Sequence, residues 1–246
     1  DIEQSKSRIE RLLLNEDFSS IKSDLRLELI KIELDQGNID FSIESLDRIA
    51  QDYPNTKVAI EAYYILSKLY LESPNLDFEK SNFFMNEAMK QNANSSHKVL
   101  ISNKRESVSK LIELDITLKE EGDIEKSSIL YRMGEILAFD LGNLNDSITY
   151  FEDIANNYQK SAIFSSATFA LYSIHSTLND SREKEYRELI LNSYPDSDFA
   201  KFIIKDQNLN TSHRPSEMLL EAESLWSENS EKSLKVYRNI LNTDSS

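Results

Sequence analysis

An internal repeat constrains this chain more than any other feature of its sequence. Residues 37–53 read GNIDFSIESLDRIAQDY and residues 142–158 read GNLNDSITYFEDIANNY, so seven of 17 positions are identical. Most of the other positions keep their polarity, as the pair Leu46 and Phe151 does. A stretch that repeats both a Gly-Asn turn and the apolar positions of a helix indicates one structural unit used more than once.

Helices are the regular structure that the composition favours. The 246 residues include four Gly and four Pro, whereas a sheet-rich or nucleotide-binding α/β fold needs many more for its turns. Apolar residues recur at spacings of three and four, and no segment alternates as a strand does. With 39% hydrophobic and 29% charged residues, the chain is expected to be helical and ordered.

Turn signals divide the sequence into short helices. Gly37 ends one helix because glycine readily adopts the left-handed conformation found at helix C-termini. Pro54 ends the next because it lacks an amide hydrogen, and Thr56 offers an oxygen that can cap the following helix. The predicted helices span 25–35, 40–53, 58–73, 78–92, 98–121, 127–141, 146–158, 162–178, 182–194, 198–205, 216–227 and 230–241.

The predicted unit is a helical hairpin. Neither helix of a hairpin can bury its apolar stripe alone, so the hairpins are expected to stack into a solenoid. We expect a softer joint near 93–126 or 206–215. The predicted domains are an N-terminal helical segment of one or two turns at 1–23, a solenoid at 24–205, a linker at 206–215 and a C-terminal hairpin at 216–246.

Residues 61–90 carry the pattern on which a family resemblance rests. Tyr63, Leu66 and Ser67 follow one another on the first helix, and Ser81 and Ala88 stand at small positions of the second. This pattern resembles the tetratricopeptide repeat, although the turn is two residues longer than usual in that family. The resemblance covers roughly residues 24–241. It implies an all-α fold, a right-handed α-solenoid of tetratricopeptide-like helical hairpins.

The junctions between hairpins carry a narrower resemblance. YPNTKVA at 53–59, YQKSAIF at 158–164 and YPDSDFA at 194–200 look like the Tyr-Pro-x-Ser-x-x-Ala junctions of bacterial cell-envelope tetratricopeptide proteins. These include the lipoprotein subunit of the outer-membrane β-barrel assembly machine and the periplasmic coordinator of the Tol-Pal system. The resemblance implies a periplasmic or envelope location, with the cytoplasm as the alternative. The start at Asp1 without methionine leaves room for an upstream lipid anchor.

The sequence offers little material for catalysis or metal binding. It has no cysteine, and His97, His175 and His213 are scattered without the spacing of a zinc site. No phosphate-binding glycine loop or nucleophile motif is present. We therefore predict no enzyme activity, no catalytic residue, no metal site and no cofactor. The net charge of −15 disfavours nucleic acid, and no apolar run approaches the ~20 residues of a membrane span.

The family resemblance also implies where a partner would bind. In that family, a concave groove is lined by positions on the first helix of each hairpin, and it holds extended or helical segments of other proteins. Aromatic platforms flanked by basic side chains suit such segments. The corresponding residues are Lys31, Tyr64, Lys68, Tyr131, Arg132, Glu135, Phe169 and Ser173.

The sequence therefore favours a non-catalytic scaffold or adaptor that binds other proteins, as a subunit of an outer-membrane-associated bacterial envelope complex. One alternative is a structural subunit that assembles through the edges or ends of the solenoid. A third and less favoured one is an enzyme or small-ligand-binding protein on a solenoid frame.

Overall fold

The computed structural model describes residues 2–120 and 123–208, and this part of the chain is all-α. It contains helices and turns, with no strand within those ranges. The predicted hairpin at 216–246 lies outside the described residues, as does most of the predicted linker. The helices are α1 (Ile2–Leu14), α2 (Lys22–Asp35), α3 (Ile39–Asp52), α4 (Lys57–Leu69), α5 (Phe78–Lys90), α6 (Ser96–Glu120), α7 (Asp123–Glu135), α8 (Leu144–Asn157), α9 (Phe164–Thr177), α10 (Glu183–Ser193) and α11 (Asp198–Asn208).

Two short helical segments interrupt this series. A 3₁₀ segment, Glu16–Ile21, connects α1 to α2, and a π-helical turn, Ile136–Asp140, extends α7. The chain divides into two compact units, with the boundary between Ile112 and Glu113. We call residues 1–112 the N-terminal unit and residues 113–246 the C-terminal unit.

In the N-terminal unit each of the first four helices packs on the next one in sequence. In addition, α2 contacts α4, its second neighbour. The apolar stripes predicted by the spacing of three and four meet inside this arrangement. Leu46 of α3, Ile60 and Leu66 of α4, and Met85 of α5 are completely buried.

The C-terminal unit follows the same order of packing from α7 to α11, and α9 also contacts α11. Its core is one cluster to which α7 to α11 all contribute. Its fully buried members include Phe151 and Ile154 from α8, Leu171 from α9, Ile190 from α10 and Ile203 from α11. All five side chains are inaccessible to solvent. Contacts with both the first and the second neighbour are what stacked helical hairpins require.

Small polar residues allow neighbouring helices to approach closely. Ser42, Ser81 and Ser147 are completely buried, each on the second helix of a predicted hairpin. The hydroxyl of Ser81 donates a hydrogen bond of 2.8 Å to the backbone oxygen of Ser67, on α4. A larger side chain at this position would push α4 and α5 apart. The hydrogen bond to Ser67 satisfies the hydroxyl, which would otherwise be buried without an acceptor.

The two copies of the internal repeat begin with the same turn. Gly37 has φ +85° and Gly142 has φ +72°, a conformation that other residues adopt only with strain. The stop predicted at Gly37 is therefore confirmed. The cap predicted at Thr56 is confirmed too, because its hydroxyl oxygen accepts a 3.2 Å hydrogen bond from the Ala59 amide.

Several helix bounds differ from the prediction, among them those of α1, α4 and α11. Helix α1 runs for 13 residues rather than one or two turns, and side-chain hydrogen bonds from Lys6 to Glu33 and from Gln36 to Glu3 attach it to α2. Helix α4 ends at Leu69 instead of residue 73, because the Asp77 amide closes a turn onto the Tyr70 oxygen at 2.8 Å. Helix α11 continues to Asn208, three residues beyond the predicted end.

Candidate partner-binding face

Lys31 joins α2 to α4. Its ammonium group lies 2.5 Å from a carboxylate oxygen of Glu61 on α4 and 2.8 Å from one of Glu28 on its own helix. Burial acts to lower the pKa of Lys31, but the hydrogen bonds to Glu28 and Glu61 outweigh it and raise the pKa. Because the side chains remain partly exposed, this network contributes to the position of the two helices more than to stability.

The outer side of α4 faces the first turns of α6. The ring of Tyr64 lies 5.0 Å from the ring of His97, which also contacts the Ser95 hydroxyl at 3.2 Å. Farther along both helices, burial and then the ammonium group of Lys68 lower the pKa of Lys104. We define the α2–α4–α6 face as Lys31, Glu61, Tyr64, Lys68, His97 and Lys104.

An open recess lies at the beginning of this face, where α4 and α6 start. Its volume is about 700 Å³. The residues that line it are mostly polar or basic, and they include Lys57, Asn94, His97 and Lys98. Because the recess is open to solvent, it suits a segment of polypeptide better than a small molecule that must be enclosed.

In the C-terminal unit, three of the predicted site residues lie on α7. Tyr131 packs its ring edge-on against Phe151 of the core, with 5.5 Å between the ring centroids. Arg132 is exposed and lies 3.1 Å from the carboxylate of Glu135. Burial raises the pKa of Glu135 although Arg132 opposes the shift. Of these three, Arg132 presents its charge to solvent, whereas Tyr131 is used largely for packing.

The last two predicted site residues lie on α9. The ring of Phe169 stacks on Phe199 at 4.6 Å and meets Phe202 edge-on at 5.6 Å, so it forms a half-buried aromatic cluster with α11. Ser173 is buried, and its hydroxyl donates a 2.9 Å hydrogen bond to the Phe169 backbone oxygen. The Ser173 hydroxyl is therefore hydrogen-bonded within α9 and is not exposed to a binding partner.

The structure brings three predicted residues onto one face, namely Lys31, Tyr64 and Lys68. It adds His97 and Lys104, which the sequence did not single out. Both lie on α6, in the part of the chain where the family pattern is loosest. No local motif marks them, because the register of α6 against α4 decides which of its residues meet Tyr64 and Lys68.

A histidine cluster in the C-terminal unit proves to be part of the packing. His175 is completely buried, stacks on the Tyr186 ring at 5.3 Å and places Nδ1 3.2 Å from Asp180. Arg182 binds both Asp180 and Glu152, and Tyr186 also donates to Glu152. Within the described residues the His175 Nε2 atom has no hydrogen-bond partner. The cluster ties the α9–α10 connection to α8, and a substrate could not reach the imidazole.

Comparison of the chain with protein-family models, with curated proteins and with solved structures found no match. Among the residues that the structure describes, no group of three or more His, Asp or Glu side chains could hold a metal ion. None of the described helices combines the length and apolarity needed to cross a membrane.

Proposed function

We propose that this protein is a non-catalytic scaffold that binds other proteins through the α2–α4–α6 face. The observation that carries the proposal is that the Lys31–Glu61 ion pair joins α2 to α4 and the Tyr64–His97 ring contact joins α4 to α6. These contacts place a half-exposed aromatic platform between basic side chains on one surface. Such a surface can hold an extended or helical segment of another chain.

The proposal includes the finer architecture. The order of packing, with contacts to the first and second neighbours, supports a right-handed solenoid of tetratricopeptide-like hairpins. In such a solenoid the first helices of successive hairpins lie side by side and form the binding groove. The contact between α2 and α4 and the ring contact between α4 and α6 support this arrangement.

A bacterial envelope complex is the setting that we propose, and the Tyr-Pro-x-Ser-x-x-Ala junctions support it. At the first junction, Thr56 caps α4 and also donates a 2.6 Å hydrogen bond to the Tyr53 backbone oxygen. Fractionation of source cells tests the location. Recovery of the protein in the cytoplasm would contradict it while leaving the scaffold proposal intact.

Capture of partners by face variants tests the binding function. The full chain is immobilised, exposed to an extract of source cells, and the retained proteins are identified by mass spectrometry. We expect Tyr64→Ala and Lys68→Glu to lose a defined set of proteins that the native chain retains. The loss should occur without a change in helicity, because both side chains reach solvent.

Two residues on α5 provide matched controls. Phe83 is 55% exposed and Lys90 is exposed, and both belong to the second helix of their hairpin. Phe83→Ala and Lys90→Glu make comparable changes in size and charge outside the face, and they should retain the native set of proteins. Equal retention by the native chain, the face variants and the controls would refute the assignment of the face.

A further inference from the structure

The α4–α6 region is basic although the whole protein is acidic. Helix α4 carries Lys57, Lys68 and one carboxylate, Glu61, whose charge is matched by Lys31 at 2.5 Å. Residues 96–105 at the start of α6 contain Lys98, Lys104 and Arg105 and no acidic residue. By contrast, the chain as a whole has a formal net charge of −15. A local reversal of charge on an acidic protein indicates a surface selected for a partner rather than for solubility.

These charges follow the course of the candidate face. Positions 57, 61, 64 and 68 lie on one side of α4, because they are separated by whole numbers of turns. Lys57 and Lys68 are therefore about 16 Å apart along the helix axis. Between them lie the rings of Tyr64 and His97, with 5.0 Å between their centroids. An extended polypeptide covers the same length with about five residues.

Each end of the face holds two ammonium groups. Lys57 and Lys98 both line the 700 Å³ recess. At the other end, burial and then the charge of Lys68 lower the pKa of Lys104. Within residues 2–120 no carboxylate forms an ion pair with Lys57 or Lys68. An anionic group on a partner would give Lys57 and Lys68 a counter-charge that these residues do not supply.

We propose that the α2–α4–α6 face binds an acidic, extended segment of a partner protein, about five or six residues long. One carboxylate of the segment lies in the recess beside Lys57, and another lies beside Lys68. An apolar or aromatic side chain between them contacts the Tyr64 and His97 rings. This inference rests on the proposed function and specifies the chemistry of the partner.

Synthetic peptides test the inference directly. The probes are acetylated and amidated peptides in which Phe is flanked by Glu, by Gln or by Lys, and binding to the full chain is followed by fluorescence anisotropy. We expect that, of the three peptides, only the Glu peptide binds measurably, and that its affinity falls as the salt concentration is raised. Lys57→Gln and Lys68→Gln should each weaken it about fivefold, whereas Lys90→Gln on α5 should not change it.

Two outcomes would overturn the inference. One is equal binding of the Glu and Gln peptides. The other is an oligonucleotide of the same charge competing as effectively as the Glu peptide, which would indicate a general attraction for polyanions. If the Glu peptide fails but Tyr64→Ala still loses its captured proteins, the acidic partner is refuted and the scaffold function survives. If the peptide binds and Tyr64→Ala loses nothing in capture, the scaffold function fails at this face.

Discussion

Replacing Gly134 by alanine should destabilise the C-terminal unit, although alanine is the better helix former. Gly134 lies in α7, where it faces the buried ring of Phe151. A β-carbon added to it would lie 2.7 Å from Cζ and 2.8 Å from Cε1 of that ring. The ring cannot move aside, because Phe151 is completely buried and Tyr131 packs against it at 5.5 Å.

The size of the effect follows from two opposing contributions. Gly to Ala inside a helix stabilises by about 1 kcal/mol, because alanine loses less backbone entropy on folding. Overpacking a rigid core costs about 1–3 kcal/mol, and contacts below 3.0 Å with two ring carbons favour the upper part of that range. The expected net loss is about 1–2 kcal/mol, which urea denaturation followed by far-ultraviolet circular dichroism resolves.

A second substitution supplies the control. Phe151→Leu removes the ring atoms that the new β-carbon would meet, so Gly134→Ala in that background should stabilise by about 1 kcal/mol. The two changes therefore couple by about 2–3 kcal/mol in a double-mutant cycle. If Gly134→Ala stabilises the native background as much as the leucine background, Phe151 does not lie against Gly134, and the packing described for α7 and α8 is wrong.

The remaining predictions concern a helix cap and the buried histidine. Thr56→Ala should cost about 1 kcal/mol of unfolding free energy, because the Ala59 amide loses its acceptor. Thr56→Ser keeps the hydroxyl and should match the native chain. Equal urea midpoints for the two variants would contradict the cap. Burial, then the charge of Arg182, lowers the pKa of His175 in the folded state, so the unfolded chain binds the proton more readily below about pH 6.5. Stability should thus be full above that pH and fall by at most about 1.4 kcal/mol per pH unit below it. The fall should be smaller in His175→Gln, and identical pH profiles would count against the buried neutral imidazole.

Local patterns of sequence determined the helices and their order. The spacing of apolar residues at three and four marks the buried side of each helix, and this held for Leu46, Leu66 and Phe151. The helix stop at Gly37 and the helix cap at Thr56 depend on the properties of single residues. They could therefore be predicted without knowing which other helices pack nearby. The bounds of α1 and α4 could not, because contacts with α2 and a hydrogen bond from Asp77 set them.

The candidate site likewise contains residues that the sequence predicts and residues that only the tertiary structure shows. Lys31, Tyr64 and Lys68 could be chosen from the sequence because the resemblance to the tetratricopeptide repeat implies that their positions line a partner-binding groove. Their partners depend on how helices distant in sequence align, so only the tertiary structure shows that His97 and Lys104 complete the face. Alignment of α6 against α4 likewise gathers the basic charges that an acidic composition conceals.

The internal repeat by itself determined that this chain builds stacked helical pairs, because the repeated Gly-Asn turn and small serines impose the same local geometry twice. The tertiary structure alone decided which repeated positions are used for packing and which remain exposed. Phe169 and Tyr64 both lie on the first helix of a predicted hairpin, yet one is stacked on α11 and the other meets α6 beside a basic recess. The reason is physical: the neighbour that covers a side chain is set by long-range packing, which no local pattern encodes.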